Sequence, residues 1–370
     1  MKNEEKLKYQ IALTLVPGIG PILGKTLVSY CGGPEAVFRE TKSRLKRIPR
    51  ISEELAEAIV RRDVFERAEE EAAFVKKNDI NVLFFTDEEY PHRLKHCEDA
   101  PALLYYKGKG NLNHERVLAM VGTRNATDYG KKVCEDIITG LASLDVCIVS
   151  GLAYGIDTAA HKTAVKNNLS TVGVLAHGLE KIYPPENKSL ATKMMNNGGV
   201  VTEFISGIKL DPAFFPKRNR IIAGMSDAVV IVESKENGGS LITAEIANTY
   251  NRDVFAIPGR AGDKFSAGCN ELIKSNKAAL VESAEDIMNQ LGWRQEPGTK
   301  KASPSQLAIF NELKQDEKEL VNILQQNGKL PIDSICLRAR LPMSKVSSAL
   351  LNLEFQGLVR SLPGKMYSLV

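Results

Sequence analysis

The chain lacks three features that would assign a function at once: paired cysteines, long apolar runs and the standard nucleotide-binding loops. Its six cysteines are scattered and none forms a C-x-x-C pair, so we expect reduced thiols and a cytoplasmic location. No apolar run approaches the ~20 residues that a membrane-spanning helix needs. The charged N-terminus has no apolar signal core, which argues against export and against a membrane partner.

Nucleotide-binding and metal-binding signatures are equally scarce. No G-x-x-x-x-G-K-[ST] is present, which excludes a P-loop ATPase. No G-x-G-x-x-G follows the first strand of the predicted sheet, where Arg124 instead places a guanidinium in the space of a dinucleotide. His92, His96 and Cys97 form the only close group of metal-binding side chains, and a clear fourth ligand is missing. We therefore expect neither a metal nor another cofactor.

The composition is that of an ordinary globular protein, with 43% hydrophobic and 25% charged residues among 370. A chain of this length contains two or three domains. The formal net charge of +4 permits a nucleic acid partner without requiring one. Local patterns rather than composition must therefore carry a functional assignment.

Residues 1–78 are predicted to form an all-α module with an internal duplication. Val16-Pro17-Gly18-Ile19-Gly20 is a tight turn before an amphipathic helix, and Ile48-Pro49-Arg50-Ile51-Ser52 repeats it at a constant offset. The first turn resembles a helix-hairpin-helix (SAM-like) element, in which backbone N–H groups meet a phosphate. The second copy lacks both glycines, so its backbone approaches a phosphate less closely. A structural module is favoured, and basic residues between 42 and 50 keep a DNA-binding role open.

From residue 79 to 292 the pattern alternates apolar strands with helices. After a short strand at 81–85 and a connection at 101–106, strands are predicted at 116–122, 146–151, 170–176, 199–203, 228–233 and 254–259. Continuous apolar strands between helices indicate an α/β fold with a parallel, doubly wound sheet covered on both faces. Ligands of such sheets bind at the carboxyl ends of the strands.

The most informative stretch is Phe214-Phe215-Pro216-Lys217-Arg218-Asn219-Arg220, directly before an apolar helix start. Pro216 fits the first turn of a helix. Cations at a helix N-terminus are locally unfavourable, and they become favourable when an anion such as a phosphate docks there. Cations beside aromatic rings are what a groove for single-stranded nucleic acid requires. The alternative is an exposed basic turn above two core phenylalanines.

Other strand ends lead to the same edge of the predicted sheet. Gly122-Thr123-Arg124 follows the first strand, Ser150-Gly151 the second, and Gly239-Ser240 with Thr243 the fifth. Glycines let a phosphate meet the backbone, and Ser240 or Thr243 can cap a helix and donate a hydrogen bond. Several phosphate cradles in a row suit a polyphosphate better than one small ligand.

One pair on this edge has the residue types of acid/base catalysis. Asp157 and His161 share a helix face four positions apart. Capping of the helix by Asp157 and packing of His161 against the sheet is the favoured interpretation. No other set with a plausible nucleophile stands out.

The C-terminal part reads as a separate small domain. Residues 293–306 are a polar, proline-containing linker, and residues 307–370 hold three predicted helices and a hairpin across Pro363-Gly364. This order resembles a winged helix. Its would-be recognition helix, residues 344–354, holds one cation and one acid, which is poor for duplex DNA and favours a role in protein interaction.

Taken together, these motifs resemble the DNA-processing protein A (DprA/Smf) family. The resemblance rests on residues 121–124, 150–157 with His161, 183–187, 215–224, 239–244 and 254–259, in the family's order. It implies an extended Rossmann-like core, often with an appended winged helix, that binds single-stranded DNA without being an enzyme. It also implies a homodimer that protects incoming DNA in natural transformation and loads the recombinase RecA onto it, including DNA coated by single-strand-binding protein.

The residues and the resemblance together define a candidate site. Four cations would bind phosphates (one of them pairing instead with Glu203 or Asp227), a phenylalanine would stack on a base, and glycines and hydroxyls would meet the backbone of the strand. The candidate DNA-binding residues are Gly122, Thr123, Arg124, Ser150, Gly151, Phe214, Phe215, Lys217, Arg218, Asn219, Arg220, Gly239, Ser240 and Thr243. The resemblance places the dimer interface around residues 245–290.

The alternative is a nucleotide-processing enzyme of the phosphoribohydrolase type. Such enzymes use related Rossmann-like sheets with glycine-rich phosphate turns. The turn expected of them is only approximated by Asn237-Gly238-Gly239-Ser240-Leu241. The cluster of cations and aromatics before the predicted helix also exceeds what a mononucleotide needs.

Overall fold

The computed structural model describes residues 2–293, 313–362 and 364–369. Its first part is helical, as predicted for residues 1–78, and buries the apolar sides of its helices around Leu13, Leu27 and Phe38. The helices are α1 (Lys2–Leu15), α2 (Pro21–Cys31), α3 (Pro34–Arg39), α4 (Lys42–Leu45), α5 (Glu53–Arg61) and α6 (Phe65–Lys77).

The internal duplication is visible in the backbone. Gly18 adopts a φ of 87°, and Arg50, its equivalent in the second copy, a φ of 66°. Gly20 and Ser52 then occupy the N-caps of α2 and α5. A residue other than glycine costs ~1–2 kcal/mol in this left-handed conformation. The second copy has therefore kept the shape of the turn after losing the glycine that favours it.

The N-terminal helices share their core with the first two strands of the sheet. β1 (Asn81–Phe84) and β2 (Leu103–Gly108) pair antiparallel. Residues 101–106, predicted to be a connection, thus contribute most of an additional strand. The reason is burial on both faces: Leu103 packs among the N-terminal helices, while Leu104 packs in the core on the other side. The domain boundary at residue 78 stays a prediction.

The other strands run parallel and alternate with helices, as predicted. The strands are β3 (Arg116–Val121), β4 (Val146–Ser150), β5 (Thr171–Val174), β6 (Gly199–Thr202), β7 (Ala228–Ile231), β8 (Asp253–Ala256) and β9 (Ala279–Leu280). The helices are α7 (His92–Lys95), α8 (Asp128–Gly140), α9 (Ile156–Lys166), α10 (Lys188–Met194), α11 (Phe214–Met225), α12 (Gly239–Thr249), α13 (Ala267–Lys274) and α14 (Ala284–Gln290).

The sheet reverses its winding direction at β3. The strand order is β1-β2-β6-β5-β4-β3-β7-β8-β9, so the chain moves outward from β3 to β6 and then crosses to β7 on the other side of β3. β3 and β7 are parallel neighbours, with Val121 opposite Ile231. In doubly wound sheets the ligand site lies at the carboxyl edge beside such a reversal. A ligand site is therefore expected at the carboxyl ends of β3 and β7.

The C-terminal part has the predicted winged-helix order and a core of its own around Leu320, Leu350 and Leu353. Its elements are α15 (Gln315–Asn327), β10 (Leu330–Pro331), α16 (Ile332–Ala339), α17 (Met343–Phe355), β11 (Val359–Leu362) and β12 (Met366–Leu369). Apart from Trp293, the predicted linker of residues 293–306 lies outside the described residues, as does the predicted start of this domain up to residue 312.

No helix in the described ranges is long and apolar enough to cross a membrane. All six cysteines are free. Burial raises the pKa of Cys147 and Cys269 to about 12, which keeps both thiols protonated and unreactive. No group of three His, Cys, Asp or Glu in the described part of the chain is arranged to hold a metal ion.

Candidate nucleic-acid interface

Helix α11 carries the basic stretch and begins at Phe214, earlier than the sequence predicted. Pro216 is therefore the third helical residue, which lies in the first turn as predicted. It is tolerated because the N–H groups of the first turn have no partner within a helix. Lys217 follows directly, so a cation still lies in the part of the helix where the dipole disfavours it.

Arg124 and Lys217 are the two candidate cations that face solvent. The Arg124 guanidinium lies 4.8 Å from the centre of the Phe215 ring, and the Lys217 ammonium lies 5.8 Å from that of Phe214. Phe214 packs in turn on Phe204, with 4.5 Å between ring centres. Within the described part of the chain, neither cation forms an ion pair. Both charges thus remain available to an anion, beside rings that are only partly buried.

Arg218, from the same helix, points into the protein. Its side chain is buried, Nη1 donates a 2.6 Å hydrogen bond to the Val174 carbonyl, and Nε donates to Asn219 Oδ1 at 3.1 Å. Burial lowers the pKa of Arg218 to about 10, against the opposing charge of Asp157. The predicted direct phosphate contact is therefore not available to Arg218 in this conformation, because its head group lies beneath the sheet edge.

Arg220 is the cation that pairs with a carboxylate. Its guanidinium donates to Glu203 and to the Asp99 carbonyl, and its side chain is 11% exposed. The expected pairing of one cation with Glu203 is thus present, whereas Asp227 pairs with Arg93 at 2.6 Å. Burial raises the pKa of Glu203, and the Arg220 charge opposes that shift.

The loop after β3 is held tightly against its neighbours. The Thr123 N–H donates to the Glu233 carbonyl at 2.8 Å, and the Thr123 carbonyl accepts from Ile156 N at 3.2 Å. Gly155 has a φ of 76°, and a Cβ there would lie 2.2 Å from the Thr123 oxygen. A Cβ on Gly122 would likewise collide with Ile156. These contacts fix the backbone from which Arg124 projects.

The predicted hydroxyl contacts are internal. Ser150 Oγ donates to the Met120 carbonyl at 2.6 Å, Ser240 Oγ donates to Ser234 Oγ at 2.9 Å, and Thr243 is buried. A Cβ on Gly151 would lie 1.9 Å from Arg218 Nη1, so that glycine makes room for a guanidinium rather than for a phosphate. Gly239 is different, because it is exposed at the start of α12, and a Cβ on it would meet nothing within 4 Å.

Asp157 and His161 do not form an acid/base pair. Asp157 accepts hydrogen bonds from the backbone N–H groups of Gly151 and Ala153, at 3.1 and 3.3 Å. His161 Nδ1 lies 2.7 Å from Thr171 Oγ1, whose proton goes to the Ile148 carbonyl, so Nδ1 must be the donor. Burial lowers the pKa of His161 to about 3. The pair is structural, and His161 packs at the sheet as expected, but the prediction that Asp157 caps the helix is wrong: Gly155 is the N-cap of α9, which has no side-chain cap, and Asp157 instead holds the loop before the helix.

The role of Glu233 was not predicted from the sequence. This buried carboxylate accepts hydrogen bonds from the Thr127 N–H, at 2.9 Å, and from the Thr127 hydroxyl. It therefore ties the end of β7 to the loop that carries Arg124. An acid directly after a continuous apolar strand was the available signal, because a carboxylate in that position has to find donors among the neighbouring loops.

The arrangement defines a class of protein: a Rossmann-like sheet whose carboxyl edge offers unpaired cations beside aromatic rings, followed by a winged helix. Residues 81–292 match the family described as DNA recombination-mediator protein A, and residues 302–365 match the DprA winged helix domain. The chain belongs to this DprA/Smf family.

Relatives and solved structures agree with this assignment. The chain is 32% identical to Protein Smf of Synechocystis sp., with 99% of each chain covered. The X-ray structure of DNA processing protein A from Streptococcus pneumoniae is 34% identical, with a TM-score of 0.65, and the match covers 78% of this chain and 98% of that one. DNA processing protein A from Helicobacter pylori, described for its unique single-stranded DNA binding mode, is 28% identical with a TM-score of 0.52, over 57% and 95% of the two chains.

Proposed function

We propose that this protein is a recombination mediator that binds single-stranded DNA at the carboxyl edge of its sheet and acts without chemical turnover. The observation that carries the proposal is the pair of solvent-facing cations, Arg124 and Lys217, each lying on a phenylalanine ring and free of a carboxylate partner within the described residues. The single-stranded DNA binding mode described for the Helicobacter pylori relative supports it.

The chemistry of the edge favours a single strand over a duplex. Ring faces can stack only on bases that are not already paired and stacked, and each such contact contributes ~1–3 kcal/mol. Arg124 and Lys217 would meet phosphates on either side of the base that Phe214 or Phe215 receives. The formal net charge of +4 is too small to attract DNA over the whole surface, so binding depends on this local arrangement.

The other candidate residues take revised roles in the proposal. Gly122, Thr123 and Gly239 form or support the surface that faces the strand. The remaining candidates shape that surface from behind through the internal contacts described above: Ser150, Gly151, Arg218, Asn219, Arg220, Ser240 and Thr243.

The biological step that we propose is the transfer of incoming single strands to RecA during natural transformation, with protection of the strand until transfer. Single-strand-binding protein and a second copy of this chain are the further proposed partners. The family's description as a recombination mediator supports this step, because a mediator must release its strand to a recombinase.

The first test compares binding of the purified protein to a fluorescent oligo-dT and to a duplex of equal length. We expect a strong preference for the single strand that is reduced by Lys217→Ala. Equal binding to both, or turnover of nucleoside phosphates by the protein, would contradict the proposal.

The second test measures strand exchange by RecA on DNA coated with single-strand-binding protein. The wild-type protein should restore exchange, and Lys217→Ala should not. Restoration by the variant at the same level would mean that transfer to RecA does not use this edge.

A further inference from the structure

The exposed tyrosines of this protein are concentrated on the edge that carries the proposed site. Tyr30, Tyr129, Tyr154 and Tyr183 are the strongly exposed ones in the described chain, and only Tyr30 lies elsewhere, on α2. Tyr154 and Tyr183, 42% and 41% exposed, follow β4 and β5. β4 is the neighbour of β3 on the side away from β7, and β5 is the next strand beyond it. Large apolar rings are normally buried, so an exposed group of them indicates a binding surface.

The backbone at Tyr154 is held against the loop that carries Arg124. The next residue, Gly155, packs so closely against the loop after β3 that a Cβ on it would lie 2.6 Å from the Arg124 carbonyl oxygen. At the other end of the ring, the Tyr154 hydroxyl donates a 2.8 Å hydrogen bond to Glu186 Oε2. The ring is thus fixed at both ends while a large part of its surface stays open to solvent.

Tyr183 belongs to a loop that is clamped to the same structure. Its backbone N–H donates to His177 Nε2 at 3.2 Å. A few residues later, the Asn187 amide donates to the Leu152 carbonyl at 2.9 Å and to Thr158 Oγ1 at 2.8 Å, which connects this loop to both sides of Tyr154.

We propose that Tyr154 and Tyr183 form a second subsite for nucleobases, which extends the path of a single strand from Phe214 and Phe215, past Arg124, across the ends of β4 and β5. This inference rests on the proposed function. The subsite receives bases rather than phosphates, because its rings are flanked by the carboxylate of Glu186, which repels a phosphate and can accept hydrogen bonds from base amino groups. Phosphates of the same strand would face Arg124 and Lys217.

The experiment uses the full chain and two variants, Tyr154→Leu/Tyr183→Leu and Tyr154→Phe/Tyr183→Phe, with Tyr30→Leu as a matched control for an exposed tyrosine elsewhere. Affinities are measured for a short and a long oligo-dT, at the two ends of the roughly 4–16 nucleotide range of single-strand sites, and for a long strand of abasic sites. The leucine variant should bind the long oligo-dT about tenfold more weakly or worse, since a lost stacking contact of ~1.4 kcal/mol is a factor of ten. Its affinity for the abasic strand should not change.

The phenylalanine variant, which keeps the rings and loses the hydroxyl groups, should bind like the wild type. Irradiation of a long oligonucleotide containing 5-iodouracil should in addition cross-link peptides that contain Tyr154 or Tyr183. An equal loss on the base-bearing and abasic strands, or no loss on either, would overturn the second subsite. If Lys217→Ala still weakens binding in that case, the proposed function stands without the subsite. If the wild type shows no preference for single strands, both fail.

Discussion

Two arginines of the candidate site have different environments although their side chains are chemically identical. Arg124 lies over the Phe215 ring and faces solvent, whereas Arg218 is buried and donates to the Val174 carbonyl. A guanidinium that is already hydrogen-bonded inside the protein has few donors left for a phosphate. At the scale of single residues, binding and stability should therefore be separable by mutation.

Arg124→Ala should weaken the binding of all single strands, whatever their sequence, and should lower the salt dependence of binding by about one unit. The reason is that a phosphate contact releases counterions and reads no base. Titration of fluorescent oligo-dT at several salt concentrations measures both effects. Arg39→Ala is the control, because Arg39 is an exposed arginine of α3, outside the basic run between residues 42 and 50. An unchanged salt slope would show that Arg124 does not contact a phosphate.

Lys217→Met and Arg220→Met form a matched pair on one helix. Arg220→Met should destabilise the protein by about 3 kcal/mol, because the Glu203 carboxylate, whose side chain is only 16% exposed, loses its partner. Lys217→Met should leave stability unchanged and weaken DNA binding. Urea unfolding and oligo-dT titration distinguish the two.

Addition of Glu203→Gln to Arg220→Met should recover part of the lost stability, since no buried charge then remains unpaired. A failure of that double variant to recover would mean that the Arg220 side chain acts through packing. Loss of stability in Lys217→Met would show that this lysine, too, has a structural role.

The free energy of unfolding should decrease as the pH is lowered below the ordinary pKa of histidine, because of His161. Its pKa is about 3 in the folded protein and 6.5 in the unfolded chain, so the unfolded chain binds more protons between these values. The free energy of unfolding should drop by about 2 kcal/mol between pH 7 and pH 5 from this group alone. Thermal unfolding of wild type and His161→Gln across this range measures the difference. Parallel pH profiles of the two would exclude His161 as the source.

At the scale of elements, the edge of the sheet is built from glycine loops that serve different purposes. The glycine after β4 makes room for the Arg218 guanidinium, and the glycine at the start of α12 faces open space. The sequence shows both as small residues after an apolar strand. Only the atoms that face each glycine show whether the space beside its Cα is filled by a protein side chain or is open to a ligand.

Gly151→Ala and Gly239→Ala should therefore have opposite effects. The first should cost about 1–3 kcal/mol of stability, because the new methyl group overlaps Arg218 Nη1. The second should keep or slightly increase stability, because alanine restricts the unfolded chain. It should nevertheless weaken DNA binding, since the methyl group separates a phosphate from the backbone. Unimpaired binding by Gly239→Ala would place the strand away from α12.

At the scale of the whole molecule, the described residues form several separate apolar cores. The sheet has one core on each face, the N-terminal helices share theirs with β1 and β2, and the winged helix closes its own. The proposed DNA path involves the sheet alone. The exposed Leu351 and Phe355 of α17 also make that helix a poor match for the phosphates of a duplex.

Removal of the winged helix should leave the affinity for oligo-dT unchanged. A chain that ends at residue 293 keeps the sheet, both of its faces and the N-terminal helices. Fluorescence titration of the truncated and complete chains with the same oligonucleotide tests this expectation. Markedly weaker binding by the truncated chain would assign the winged helix a part in DNA binding.

Local sequence patterns were sufficient to predict most of the architecture of this protein. Strand and helix periodicity predicted six parallel strands, the helical module and the winged helix, because local patterns of burial directly specify such elements. It also predicted a site at the carboxyl edge of the sheet, since the glycines and cations all follow strands. The strand β2, at residues 103–108, was missed because part of its burial comes from the N-terminal helices, which lie far away in the chain.

Tertiary structure alone decided which of the cations face solvent. The sequence shows four cations without distinguishing their environments. In the structure Arg124 and Lys217 are exposed, Arg218 is buried against Gly151, and Arg220 is paired with Glu203. The position of Tyr154 was likewise set by the tertiary structure, because the adjacent Gly155 packs against the loop after β3 that carries Arg124. The physical reason is that a charge or ring acquires its role from the groups brought next to it by folding, and those groups are distant in sequence.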